Sequence, residues 1–272
     1  MTLQKESEKI FSKYHINPVK FRGQNFLIDE EVLDEIVSAA EIKFGDTILE
    51  IGPGLGFLTE RLISRAKKVI AVELDTQLFK ILRKKFETVQ NLELINEDIL
   101  NFSPPAEKYK LVANIPYEIT SAILQKFLTC ALPPEEMVLM VQKEVAERIV
   151  NSEKRSLLSV SVWLYGEPEM VATVPPAAFY PEPKVISAIL RIKVKKLSAD
   201  ERQNNEKALK IAKIGFISPR KKLIHNLSAS LAMPKENLLP VFAELGLGEN
   251  IRAEELAPDD WLRLERELKN IV

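Results

Sequence analysis

Glu50 to Glu60 reads EIGPGLGFLTE, and the rest of the chain is best understood outward from it. The apolar run Thr47-Ile48-Leu49 leads into three glycines at alternate positions, Gly52, Gly54 and Gly56. Phe57, Leu58, Leu62 and Ile63 then recur at helical spacing. Strand, glycine turn and helix in that order make a nucleotide-binding corner, because glycine accepts positive φ and lets a ligand approach closer than a Cβ would permit. A dinucleotide fingerprint wants its third glycine at position 57, beside a pyrophosphate on the helix N-terminus. Phe57 stands there. The spacing instead suits a cofactor without phosphate, of which S-adenosylmethionine is the commonest; a purely structural turn is the alternative.

Bulk properties narrow the field. At 272 residues the chain has room for one large and one smaller domain. Apolar residues make up 46% and charged residues 28%, a globular balance. The single cysteine, Cys130, excludes an internal disulfide and fits a reducing compartment. His15 and His225 are far apart in sequence and lack cysteine company, so no metal site is expected. No signal-peptide core or membrane-length apolar run is present, so a soluble, cytosolic protein without membrane partners is expected.

The net charge of −1 hides an uneven distribution. From Lys196 to Asn226 eight Lys/Arg face three acids, and from Leu227 to Val272 five basic residues face nine acids. One cationic face is one reading, and an ordinary solvated helical surface is the other.

Taken in order, residues 1–20 carry Lys5, Lys9, Lys13 and Lys20 on a short helix and extended tail, a candidate flexible, basic N-terminal arm. Phe21–Asp29 precedes an amphipathic helix for which Asp29 is a fitting N-cap. After the glycine corner, strands are expected at 69–72, 92–95, 109–113 and 137–141, with helices between them. This alternation implies a parallel sheet covered on both faces, with ligands beyond the carboxyl ends of its strands. Glu50, Glu73, Asp98 and Asn114 each fall at such an end. Residues 143–150 read as helix, Ser156–Val174 as β-rich, and the proline cluster VPPAAFYPEPKV at 174–185 as a rigid loop before a last strand, 186–194. Helices follow at 201–215, 219–230, 235–245 and 258–271. The expected domains are therefore 21–197, α/β, and 198–272, all-helical.

QNFL at 24–27, EIGPGLG at 50–56, VELD at 72–75, NIPY at 114–117 and the proline loop together resemble the ribosomal RNA adenine dimethyltransferase family, most closely its bacterial small-subunit (16S) branch. The likeness runs from Phe21 to the C-terminus and includes SPRKKLIHNL at 218–227. It implies a Rossmann-like methyltransferase sheet with a smaller C-terminal helical domain that binds RNA. The implied activity is S-adenosylmethionine-dependent dimethylation of N6 of adjacent adenines in small-subunit ribosomal RNA. The implied partner is the immature small subunit, met by a monomer. Cofactor-binding residues by this resemblance are Asn25 and Leu27 as a lid, Gly52, Gly54, Glu73 for the ribose, Asp98 for the adenine amino group, and Asn114. Glu50 either helps place the methionine amine or braces the turn.

Adenine N6 is a poor nucleophile because its lone pair is delocalised into the ring. Accepting its two hydrogens with the Asn114 side-chain oxygen and the Ile115 carbonyl would favour a pyramidal nitrogen aimed at the methyl group. Tyr117 and Phe179 are the expected stacking faces for the flipped base. Lys184, Arg191, Lys193, Lys195 and Arg220–Lys222 are candidate phosphate contacts. Ile186 departs from the acid expected at its position. Competing readings are a large-subunit adenine methyltransferase, an assembly or transcription factor that keeps the fold, and, disfavoured by Phe57, a dehydrogenase.

Overall fold

A computed structural model describes residues 2–16, 25–150 and 154–269. The tail of the expected arm, 17–20, and residues 21–24, with Gln24 of QNFL, lie outside the described residues, as do residues 270 and 271 of the last helix expected from the sequence. The chain divides into two compact units: Met1–Ala146 with Glu169–Val194, and Glu147–Pro168 with Lys195–Val272.

The first unit is an α/β layer structure. Its elements in order are α1 (Leu3–Tyr14), β1 (Phe26–Leu27), α2 (Glu30–Ala39), β2 (Thr47–Ile51), α3 (Phe57–Ile63), β3 (Lys68–Glu73), α4 (Thr76–Lys85), β4 (Leu92–Asn96), β5 (Lys110–Asn114), α5 (Thr120–Thr129), β6 (Glu136–Gln142) and α6 (Lys143–Val150). After α7 (Leu157–Tyr165) come β7 (Gly166–Val174), β8 (Phe179–Tyr180) and β9 (Ser187–Val194). The main sheet has the order β4-β3-β2-β5-β6-β9-β7. The pairs from β4 across to β6 are parallel, and β9 joins β6 antiparallel. The strands Ile48–Leu49, Val69–Val72, Leu111–Ala113 and Met137–Val141 are buried almost completely, which is why they read as uninterrupted apolar runs. Asp29 caps α2 as expected, accepting from the N–H groups of Glu31 and Val32. Asp75 caps α4 in the same way.

The order places a topological switch between β2 and β5, since the chain winds outward to β4 and then returns to the other side. The loops beyond the carboxyl ends of these two strands must splay apart there, leaving a crevice.

Two expectations differ from what is seen. Over residues 3–14 the basic arm is a docked helix: Leu3, Ser7 and Phe11 are buried, and Phe11 lies 5.2 Å from Phe26 and 5.9 Å from Tyr180. Its apolar stripe wins over its lysines, which occupy the outer face. The supposedly β-rich segment 156–174 begins as α7. Ser156 and Ser159 form a reciprocal capping box, and most of the helix is buried on all sides, so its sequence carries no amphipathic period.

The second unit is helical: α7, α8 (Ala199–Gly215), α9 (Leu223–Leu231), α10 (Lys235–Glu244) and α11 (Pro258–Lys269). Segment 147–168, expected in the first domain, groups with these helices. Gly215 is needed for packing, because a Cβ there would meet the Trp261 ring at 2.5 Å. Asn205 donates to the Leu164 carbonyl at 2.7 Å, tying α8 to the end of α7. Among the described residues no helix is long and apolar enough to cross a membrane.

Candidate active site

The crevice at the switch point forms a cleft between the loops that follow β2 and β5. One wall is the corner after β2, Gly52 to Leu55. The opposite wall is Asn114–Tyr117 after β5, and Asn25–Leu27 covers a third side.

The glycines of the corner serve different purposes. Gly52 has φ +63° and open space where a Cβ would stand, so ligand atoms can lie against its backbone. At Gly54 a Cβ would crowd the Phe26 ring at 3.3 Å, and at Gly56 it would overlap Phe86 at 2.7 Å. The turn is pinned to β3 by the Gly52 N–H, which donates to the Val72 carbonyl at 2.9 Å. Lys85 holds it from α4, donating to the Leu55 carbonyl at 3.0 Å while paired with Glu60 at 2.9 Å.

Two carboxylates line the cleft. Glu73, closing β3, is 2% exposed; its Oε2 accepts from Gly54 N–H at 3.1 Å and its Oε1 from Asp75 N–H at 2.9 Å. Glu50 is 1% exposed and accepts from the Thr59 hydroxyl at 2.7 Å. Burial pushes the Glu50 carboxyl up to about 8, against the Thr59 hydrogen bond and with a further push from the charge of Glu73. Burial also raises Glu73. Among the described residues no lysine, arginine or histidine lines the cleft. A pyrophosphate would face two acids and none of the described cations there, whereas a ligand carrying positive charge would be favoured.

Asn114 closes β5. Its Nδ2 donates to the Asn25 carbonyl at 3.1 Å, which fixes the amide and leaves Oδ1 as the atom to accept from a ligand. Tyr117 follows in a short 3-10 turn, Tyr117–Ile119, and its hydroxyl is 2.6 Å from Ser187 Oγ at the start of β9.

The cleft thus gathers Asn25, Leu27, Gly52, Gly54, Glu73, Asn114 and Tyr117. Asp98 stands outside its lining, one strand further along the same rim, where its Oδ1 accepts from Leu100 N–H at 2.9 Å. It is stitched to the β3 end by Glu97 N–H and Asn96 Nδ2, which donate to the Glu73 carbonyl at 3.2 and 2.7 Å. Phe179 is 1% exposed, pairs with Leu27 in the β1–β8 ladder and does not line the cleft.

The phosphate candidates divide. Lys184, Lys193 and Arg220–Lys222 are exposed. The last three stand on a turn secured by Asn226, whose Nδ2 donates to the Gly215 and Ser218 carbonyls at 2.6 and 3.1 Å. Arg191 must be withdrawn: it is 11% exposed and bound to Glu136, Glu41 and Glu169 at the opposite rim of the sheet. Lys195 is likewise engaged, donating to the Trp163 carbonyl at 2.7 Å at the end of α7. Lys85 and Ser187 contribute to the site through partners distant in sequence, Leu55 and Tyr117, whereas Thr59 acts on Glu50 only nine residues away. Thr59 had one available signal, its place on the helix that the corner opens.

Residues 17–270 match the ribosomal RNA adenine dimethylase family. A ribosomal RNA small subunit methyltransferase A of Dehalococcoides mccartyi (strain CBDB1) is 43% identical over 269 residues, covering 97% of this chain and 92% of that protein. Among solved structures, a dimethyladenosine transferase from Plasmodium falciparum superposes with a TM-score of 0.78 at 28% identity, covering 90% of this chain and 98% of the other. The 23S rRNA methyltransferase ErmE superposes with a TM-score of 0.71 at 31% identity, covering 90% and 100%. A family match over nearly the whole length, on a chain 43% identical to a small subunit methyltransferase A, leaves one assignment: the chain belongs to the ribosomal RNA adenine dimethylase family.

Proposed function

We propose that this enzyme uses S-adenosylmethionine to dimethylate N6 of adenines in small-subunit ribosomal RNA, taking the immature small subunit as its substrate. The observation that carries the reading is the composition of the cleft: buried Glu50 and Glu73, no lining cation among the described residues, open space at Gly52, and an Asn114 amide whose nitrogen is already engaged. These features fit a cationic, phosphate-free nucleoside. When bound, S-adenosylmethionine supplies an electrophilic methyl group on a positively charged sulfur.

The chain's own groups do the rest. Glu73 accepts from the ribose hydroxyls while Gly54 and Asp75 hold its carboxylate in place. Asp98, further along the rim, accepts from the adenine amino group. Asn25 and Leu27 cover the methionine end. Asn114 Oδ1 and the Ile115 carbonyl accept the two hydrogens of the target N6, turning its lone pair toward the methyl. An amide is too weak a base to remove the proton first, so deprotonation follows transfer, and the rate comes from positioning and preorganised dipoles. Tyr117 offers a face to the target base, with Ser187 holding its hydroxyl. A stacking role for Phe179 requires its ring to leave the β1–β8 ladder when RNA docks. The exposed turn with Arg220, Lys221 and Lys222 supplies phosphate contacts, whose strength falls with salt.

The small-subunit assignment draws on the similarity to the Dehalococcoides protein and on the SPRKKLIHNL segment of the helical unit. The test is transfer of labelled methyl to immature small and large subunits, followed by mass spectrometry of the digested RNA. N6,N6-dimethyladenosine confined to small-subunit RNA is expected. Label in large-subunit RNA alone, or none in either, would overturn the proposal.

A further inference from the structure

We infer that Lys126 is a positioning residue for the adenine end of the cofactor, acting through the turn that carries Asp98; this rests on the assignment of Asp98 to the adenine amino group proposed above. Lys126 lies on α5 and donates to three carbonyls of one short turn, those of Ile99 at 2.8 Å, Leu100 at 2.8 Å and Phe102 at 2.6 Å. An ammonium has three N–H groups, so all of them are spent on this turn. The turn is closed from within by Asn101 and Phe102, whose N–H groups donate to the Asp98 carbonyl at 2.8 and 3.0 Å. Leu100 N–H anchors Asp98 Oδ1 at 2.9 Å, which leaves Oδ2 for a ligand.

The carboxylate therefore depends on a frame whose outer carbonyls are all gathered by one side chain. Burial lowers the Lys126 pKa, and the nearby charge of Asp98 opposes that shift, so the two groups feel each other's field. Without Lys126, three carbonyl oxygens lose their donor and the turn can open, carrying Asp98 away from the rim. The same helix begins immediately after the Tyr117–Ile119 turn. α5 thereby holds the target-base turn at its first residue and the cofactor-base turn through Lys126.

The inference is tested by calorimetric titration of S-adenosylhomocysteine and of its analogue carrying unsubstituted purine in place of adenine. Wild type should prefer the adenine form by about tenfold or more, the usual worth of a hydrogen bond to a charged group. Lys126→Met should lose most of that preference while binding the purine analogue nearly as wild type does. Lys126→Gln, which keeps two N–H donors, should be intermediate, and it carries the test if the Met variant does not fold. Equal weakening of both ligands, with the preference retained, would make Lys126 a general stabiliser and overturn the inference. Asp98→Ala should abolish the preference. If it does not, the assignment of Asp98 itself is wrong, an outcome distinct from a failure at Lys126 alone.

Discussion

At the amino rim of the parallel strands, carboxylates and cations are gathered together. Lys110 lies 3.3 Å from Asp46 and 3.4 Å from Glu136, and it also donates to the Ala40 and Glu41 carbonyls at 2.8 Å each. Arg191 binds Glu136, Glu41 at 2.7 Å and Glu169 at 3.4 Å. At the carboxyl rim of the same strands, Glu50 and Glu73 are as deeply buried as Glu136, yet among the described residues no cation lines their cleft. Backbone N–H groups and one threonine hydroxyl are their recorded donors. Equal burial with unequal compensation separates the two rims. A paired acid at the edge of a sheet holds the fold, whereas an unpaired one stores an unmet demand for positive charge that a ligand can satisfy.

The comparison can be broken from either side. The largest effect is expected at the amino rim. Arg191→Met should cost up to about 3–5 kcal/mol of stability, because it leaves the buried Glu136 carboxylate to its longer contact with Lys110 at 3.4 Å. Cofactor affinity of the folded fraction should stay unchanged. Denaturant melts and calorimetry on one preparation measure both, and an affinity loss without a stability loss would erase the distinction between the rims. At the carboxyl rim, Asn114→Ala should lower single-turnover methyl transfer on the order of 10²–10³-fold, the usual loss for one preorganised polar group. Binding to immature small subunits should be nearly intact. Parallel losses in binding and rate would make Asn114 a structural residue.

Glu73→Ala should weaken S-adenosylmethionine by at least about tenfold, from hydrogen bonds to a charged group worth roughly 1.5–3 kcal/mol. Unchanged affinity in a folded variant would remove Glu73 from the ribose. The last effect concerns Glu50 and sharpens the contrast. Its carboxyl rises from 4.5 to about 8 on folding. Between those values the unfolded chain has given up a proton that the folded chain keeps. Stability from this group is therefore full below about 4.5 and is lost as pH rises through about 8. Glu50→Gln keeps an acceptor for Thr59 and should flatten that decline, so the variant should gain on wild type between pH 5 and pH 8. Melts that run parallel across that range would mean Glu50 is already compensated.

Much of this was legible in the sequence because the parallel strands are buried on both faces and their apolar runs cannot be mistaken for loops. Polar residues also stand at or next to the carboxyl ends of these strands, so Glu50, Glu73 and Asn114 announce the rim they share. The α7 segment, LLSVSVWLY, was misread for a related reason. A helix buried on nearly every side has no polar face to reveal its period, and its β-branched residues imitate a strand. Arg191 failed differently: composition gives a charge but not its partners, and Glu41, Glu136 and Glu169 are scattered along the chain. Lys85, Lys126 and Ser187 were silent because their roles exist only as contacts across long separations in sequence.

The hydrogen bond from Asn114 to the Asn25 carbonyl also limits which residue can occupy position 114. A carboxylate would accept amino hydrogens more strongly than an amide and, on the demands of the reaction alone, would be the better choice. Here it would set an oxygen against the lone pairs of the Asn25 carbonyl, with no hydrogen between them. Asn114→Asp, nearly identical in shape, should therefore turn the side chain away or require it to bind a proton. The neighbouring segment thus demands a group that donates on one side and accepts on the other, and it makes asparagine irreplaceable by its own acid.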